Sequence, residues 1–250
     1  MRRLPLRGML LTGMLIVLLI SCGLDVIVFL EGPRTDRIDD QGPALPIVAF
    51  RHNAQSNNVP EFRGYEVYYK FYDDDGGAGQ NTFEADRNAV LASPISTGPS
   101  RLENRGYRRL RGRLPADPEG TERPRPLIGI APADKDDSSI VVTLTFQADP
   151  DRQPPDQAIV YWPYESDERL RVLERNTGSA TGKNFLPVAS DRYSTADDDD
   201  LPAGLNVGVV LDRDDLAIGL FVLAYGIDSQ TIREIYSEPV KLSYARLQKD

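Results

Sequence analysis

Phe62-Arg63-Gly64-Tyr65-Glu66-Val67-Tyr68-Tyr69-Lys70-Phe71-Tyr72 is the stretch whose periodicity decides the fold class. At a repeat of two, Tyr65, Val67, Tyr69 and Phe71 fall on one face, and Glu66, Tyr68, Lys70 and Tyr72 fall on the other. Aromatic and β-branched residues favour a pleated strand over a helix. Ile47-Val48-Ala49-Phe50, Ser139-Ile140-Val141-Val142-Thr143-Leu144-Thr145-Phe146 and Ala158-Ile159-Val160-Tyr161-Trp162 read as further strands, separated by Pro- and Gly-rich connections. Residues 205–211 and 216–227 read as a hairpin joined through Asp212-Arg213-Asp214-Asp215, and residues 232–244 close the domain. Residues 170–173 are too short to assign. No repeat of fixed period is present.

Working outward, residues 26–30 form a β-branched run ended by Gly32-Pro33 and read as a first strand, while 34–46 read as a polar loop. After the aromatic strand comes an acidic turn, Asp73-Asp74-Asp75-Gly76-Gly77. Asn81 with Glu84 three residues on then has the form of a capping box for one short helix that Pro94 stops. Residues 94–104 read as loop, 115–126 as linker and 176–200 as a long polar loop. The chain therefore reads as mainly β, with a large insertion around residues 73–135 that contains one short helix.

The Gly64-Tyr65-Glu66-Val67-Tyr68-Tyr69 sequence resembles strand C of fibronectin type III-like sandwiches. Leu220-Phe221-Val222-Leu223-Ala224 resembles strand F, and Ser237-Glu238-Pro239-Val240 the opening of strand G. The likeness covers about a quarter of the chain. It departs from the family pattern at two positions: Phe50 stands where strand B usually carries tryptophan, and Ile218 where strand F often carries tyrosine. The resemblance implies a fibronectin type III-like or immunoglobulin-like sandwich over residues 47–250. Two separate β units remain the alternative arrangement.

The amino terminus gives an address. A basic start with Arg2, Arg3 and Arg7 precedes an apolar run over residues 9–20, the layout of a secretory signal. Leu19-Ile20-Ser21-Cys22 resembles the lipobox of bacterial lipoproteins. The resemblance implies a signal peptide over residues 1–21, cleavage between Ser21 and Cys22, diacylglycerol on the Cys22 thiol and an acyl chain such as palmitate on the new amine. Residues 22–46 are then the anchor, first strand and polar connection. A transmembrane helix over residues 9–30 is the rival reading, but it would place Asp25 in the apolar window at a cost of about 2.5–3.5 kcal/mol near the centre. Gly23 stands where many inner-membrane lipoproteins carry aspartate, so the expected location is the outer membrane.

Removing residues 1–21 takes three of the 29 basic residues and none of the 38 acidic ones, moving the formal balance from −9 to −12. Such a surface repels nucleic acid. Cys22 is the sole cysteine, which excludes an intramolecular disulfide and a thiolate metal cluster. His52 is the sole histidine, which removes most Ser-His-Asp and histidine-rich metal designs. Following a strand and preceding a polar loop, it reads as a surface or edge residue.

Three constellations remain. Arg105, Arg108, Arg109, Arg111 and Arg113 concentrate positive charge in an acidic molecule, as a solvated face or as a patch for an anionic envelope polymer or acidic protein. Asp73 and Asp75 with Glu84 have the oxygen chemistry of a calcium loop, although Ala78 occupies the position where an EF-hand needs glycine. Tyr65, Tyr68, Tyr69, Tyr72, Tyr161, Trp162 and Tyr164 are either core residues or an exposed sugar platform. The expected function is a non-catalytic, lipid-anchored envelope protein that presents a β surface to a protein or polymer, without a cofactor. The alternatives are a glycan- or calcium-binding module and a hydrolase using two carboxylates.

Cys22→Ser tests the address. The wild-type chain is expected to incorporate labelled fatty acid and to accumulate as precursor in globomycin, whereas the variant incorporates none. Equal processing and no label in both would contradict lipidation.

Overall fold

The structure is a computed structural model that describes residues 28–40, 47–92, 98–115, 124–146, 157–164, 167–178, 182–185, 199–202 and 216–247. The signal peptide, Ser21, Cys22 and residues 205–211 lie outside the described residues. In chain order the strands are β1 (Ile38–Asp40), β2 (Ile47–Arg51), β3 (Phe62–Asp73), β4 (Arg108–Arg109), β5 (Arg111–Arg113), β6 (Ile128–Gly129) and β7 (Val141–Thr145). They continue with β8 (Ile159–Tyr164), β9 (Asp167–Arg175), β10 (Lys183–Asn184), β11 (Leu216–Ile227), β12 (Glu234–Tyr236) and β13 (Val240–Arg246). Three α-helices are described: α1 (Ala54–Asn57), α2 (Ala78–Ala92) and α3 (Gly98–Glu103).

Two antiparallel sheets face each other as a sandwich. The first runs β1-β2-β7-β8-β9, with β10 and β5 both pairing β9; the second is built on β11 and β3, with β12 and β13 pairing β11 and β4 and β6 pairing β3. β3 and β11 pair from Leu216 opposite Asp73 to Gly226 opposite Phe62, and β13 lies on the far side of β11. β11 thus lies between β3 and β13 in the second sheet. One hydrophobic cluster joins the sheets, with Phe50, Val142, Leu144 and Trp162 from the first and Tyr65, Val67, Phe71, Ile218 and Val222 from the second.

The arginine-rich run closes one flank. Arg108 and Arg109 pair with Tyr69 and Tyr68 in the second sheet, the Leu110 N–H donates to the Val67 carbonyl at 2.8 Å, and Arg111 to Arg113 pair with β9 in the first sheet. A single extended segment thus crosses between the sheets, and Leu110 drops its side chain into the core.

The outer face of the second sheet is covered too, which the periodicity of β3 did not require. Tyr68, Tyr72, Phe221 and Leu223 pack under Phe83 and Val90 of α2 and Leu102 of α3. Burying a side chain such as Phe83 contributes about 1.5–3 kcal/mol. Gly219 makes room for it, since a Cβ there would lie 2.6 Å from the Phe83 ring. Gly64, at φ +146°, likewise lets β6 approach, because its Cβ would meet the Ile128 carbonyl oxygen.

Four local expectations are corrected, and one unassigned stretch is settled. Residues 28–30 carry no strand, and the loop at 34–46 holds β1. Residues 98–103, read as loop, form α3. The helix starts at Ala78 rather than after Asn81: Asp74 accepts the Gln80 N–H at 3.2 Å, and Glu84 turns away to pair with Arg87 and Lys241. The ambiguous 170–173 stretch is the middle of β9, whose charged residues masked its length.

At one end of the sandwich Arg175 and Asp200 form a buried bidentate pair at 3.0 and 2.7 Å, and the Tyr69 hydroxyl donates to the same carboxylate at 2.7 Å. The pair fastens residues 199–202 across the core, and Arg108 adds bonds to the carbonyls of Asn176 and Asp199. Arg175→Met leaves Asp200 buried without its counter-ion and is expected to cost about 3–5 kcal/mol in denaturant unfolding. Combining it with Asp200→Leu should restore much of that stability, and a single-variant loss under 1 kcal/mol would contradict the pairing.

Candidate functional site

Glu66 is the one acid inside the aromatic strand, and pleating directs it to the outer face of the second sheet, where it is 0% exposed. A buried carboxylate needs partners. Arg109 from β4 supplies one through Nη1 at 3.3 Å from Oε1, and Arg125 supplies another through Nε at 2.9 Å. Burial raises the Glu66 pKa above the ordinary carboxylate value, and the two guanidinium groups oppose that rise. Oε2 of Glu66 has no hydrogen-bond partner among the described residues.

Arg125 reaches further. Its Nη1 donates to Glu234 Oε1 at 2.7 Å and its Nη2 to the Tyr236 hydroxyl at 2.5 Å, while its guanidinium lies 5.2 Å from the Tyr225 ring centre. Tyr236 donates to Glu234 Oε2 at 2.7 Å. For Glu234 burial works against ionisation, but the Tyr236 hydroxyl and Arg125 outweigh it and hold the pKa low. One arginine is therefore locked between two carboxylates.

Above this network opens a cavity of about 380 Å³, lined by Tyr68, Pro99, Glu103, Arg109, Arg125, Glu234 and Tyr236. Three strands, both ends of α3 and the segment leading into β6 contribute to it. Arg109 has Glu66 as its only described hydrogen-bond partner, which leaves its other N–H donors available. The side chains of Tyr68 and Glu103 make no hydrogen bond among the described residues.

The five arginines singled out in the sequence do not share one face. Arg105 is exposed, Arg108 is bound to backbone carbonyls, Arg109 lines the cavity and Arg111 sits on β5 opposite Glu174. Arg113 is buried, with Nε 3.1 Å from Glu174 and Nη2 2.9 Å from Gln157. In the acidic turn, Asp73 is exposed, the Asp75 side chain lies outside what the structure describes, and Glu84 is engaged by Arg87 and Lys241. Among the described residues no group of three His, Cys, Asp or Glu side chains is placed to hold a metal. Tyr65, Tyr69 and Trp162 are core residues, and Tyr68 and Tyr72 are buried beneath the helices.

Arg125, Glu234 and Tyr236 were not singled out as functional from the sequence, because nothing local marks residues 115–126 as more than a linker. The available signal was Glu66 itself, a lone acid in the middle of an aromatic-rich strand.

His52 departs from its expected surface position and is 1% exposed. Its Nε2 lies 2.8 Å from the Lys135 carbonyl oxygen, which can only accept, so Nε2 carries the proton and Nδ1 accepts from the Tyr65 hydroxyl at 2.8 Å. Burial lowers the His52 pKa below 6.5, against the opposing pulls of the Lys135 carbonyl and Asp137. The same burial pushes the Tyr65 hydroxyl up to about 12.

A folded-state pKa below the unfolded one means that the His52 contribution to stability is complete above pH 6.5. It is lost as the pH falls towards the folded-state pKa, because only the unfolded chain takes up the proton. The melting temperature should therefore fall between pH 7 and pH 5.5, and His52→Gln should flatten that slope. An equal slope in both proteins would contradict the assignment.

In comparisons with known proteins, no family model matches the chain, no curated protein matches it, and no solved structure matches it.

Proposed function

We propose that this chain is a non-catalytic, lipid-anchored protein of the bacterial cell envelope that binds an envelope polymer or protein at the outer face of its second sheet. The cavity over Glu66 is the observation that carries the reading. Its arginines are held in place before any ligand arrives: three acceptors fix Arg125, and Arg109 is tethered by one bond with other donors left over. A site arranged in this way loses little side-chain freedom on binding.

A hydrolase reading fits less well. Two carboxylates that flank a scissile bond must leave space between them for substrate or water. Here the Arg125 guanidinium bonds both Glu66 and Glu234 and fills that space. Glu66 is also sealed from solvent, so its raised pKa gives it no route to a substrate proton. The fibronectin type III-like relationship is part of the same proposal, supported by the order β3-β11-β13.

Lipid on Cys22 would supply the attachment. Among the described residues no helix is long and apolar enough to cross a membrane. The lipobox motif supports two or more acyl chains, and one chain alone holds only marginally.

The test uses the mature chain, residues 22–250, incubated with polymers and membrane vesicles purified from the producing bacterium. Saturable retention on one fraction, weakened about tenfold or more by Arg109→Ala, is the expected result. Retention on no fraction, or retention unchanged in the variant, would contradict a binding role for this face.

A further inference from the structure

We infer that the ligand of this cavity is a neutral, hydroxyl-rich saccharide rather than an anionic polymer. The inference rests on the binding role proposed above and adds the chemical class of what is bound.

Charge decides against an anion. Arg109 and Arg125 bring two positive charges, but Glu66 beneath them and Glu234 and Glu103 at the wall bring three negative ones. Arg125 is already shared between Glu66 and Glu234, so little of its positive charge is left for a ligand. The mature chain, at −12, adds further repulsion towards a polyanion. A cation fares no better, because Arg109 and Arg125 face it and Glu103 is the only wall carboxylate without a described partner.

Hydrogen bonding then selects the ligand. The unused groups are of both kinds: N–H donors on Arg109, an acceptor carboxylate on Glu103, and the Tyr68 hydroxyl, which does either. Neighbouring sugar hydroxyls each donate and accept, so one vicinal pair satisfies such a wall without a net charge. The Tyr236 hydroxyl is engaged by Arg125 and Glu234 and its ring packs edge-to-face on Tyr225 at 5.5 Å, so what it offers the cavity is the remaining accessible part of that ring, an apolar surface for the C–H side of a pyranose. A volume of about 380 Å³ lies at the small end of ligand sites, suited to a mono- or disaccharide unit of a longer chain.

Calorimetry or NMR titration of the mature chain tests this, with chitotriose, maltotriose and cellotriose as neutral probes and trigalacturonate as the anionic probe. Saturable binding of at least one neutral probe, with none of trigalacturonate, is expected. Glu103→Gln and Tyr68→Phe should each weaken it about fivefold to tenfold. Glu103 is exposed and its side chain has no described partner, so Glu103→Gln leaves the fold intact and its effect reads the site alone. Preference for trigalacturonate, an unchanged affinity in Glu103→Gln, or no neutral probe bound would each overturn the inference. If envelope fractions are still retained in an Arg109-dependent way while all neutral probes fail, the saccharide assignment falls and the binding role stands.

Discussion

A strand that is buried on both faces must find a partner for every polar side chain it carries, because an unpaired buried charge costs far more than the strand gains from packing. β3 is under that constraint from Gly64 to Tyr72, where only Lys70 is more than slightly accessible. Its inner face, Tyr65, Val67, Tyr69 and Phe71, fills the sandwich. Its outer face, Glu66, Tyr68, Lys70 and Tyr72, lies beneath the helices and the segments after α3. The partners are recruited from distant parts of the chain. Lys70 is met by Asp86 of α2 at 2.7 Å and by the Arg105 carbonyl at 2.8 Å. Glu66 is met by Arg109 and Arg125.

That recruitment organises the insertion between β3 and β7. The helices cover the far half of the outer face, and β4 brings Arg109 over Glu66 before crossing to the first sheet. The later segment then brings Arg125 back beside Tyr225. The cavity is what remains where the helical cover stops short of the β12 edge. Its walls combine residues placed for structural reasons with groups left unsatisfied, and those unsatisfied groups are the ones the proposed binding role uses. The same logic operates on the inner face of β3, where the Tyr69 hydroxyl and the Arg175 guanidinium both bond Asp200.

Much of the sandwich was legible because period-two runs and their bounding Gly and Pro residues are local signals. β2, β3, β7, β8 and β11 all announce themselves in this way. β9 did not, since Asp167, Glu168, Arg169, Arg171, Glu174 and Arg175 give it the composition of a loop. α3 was hidden by Gly98 and Pro99 at its start. The site was less legible than the fold. Five arginines close in sequence suggested one basic face, yet an extended chain alternates its side chains, and this one also changes sheets at Leu110. Arg109 came from that cluster; Arg125, Glu234 and Tyr236 meet it only through tertiary pairing. His52 was misplaced for a related reason: its burial depends on Tyr65 and the Lys135 carbonyl, 83 residues away.

The covered outer face of β3 supports everything from the packing of α2 to the walls of the cavity, and it is open to direct observation. Hydroxyl-radical footprinting of the folded protein, read by mass spectrometry on the peptide containing residues 62–73, compares the two faces within one molecule. Strong protection of Tyr65, Tyr68, Tyr69 and Tyr72 alike, relative to the denatured chain, is the predicted result. An alternating pattern, with Tyr68 and Tyr72 oxidised as readily as in the denatured chain while Tyr65 and Tyr69 stay protected, would show a bare outer face and contradict the account.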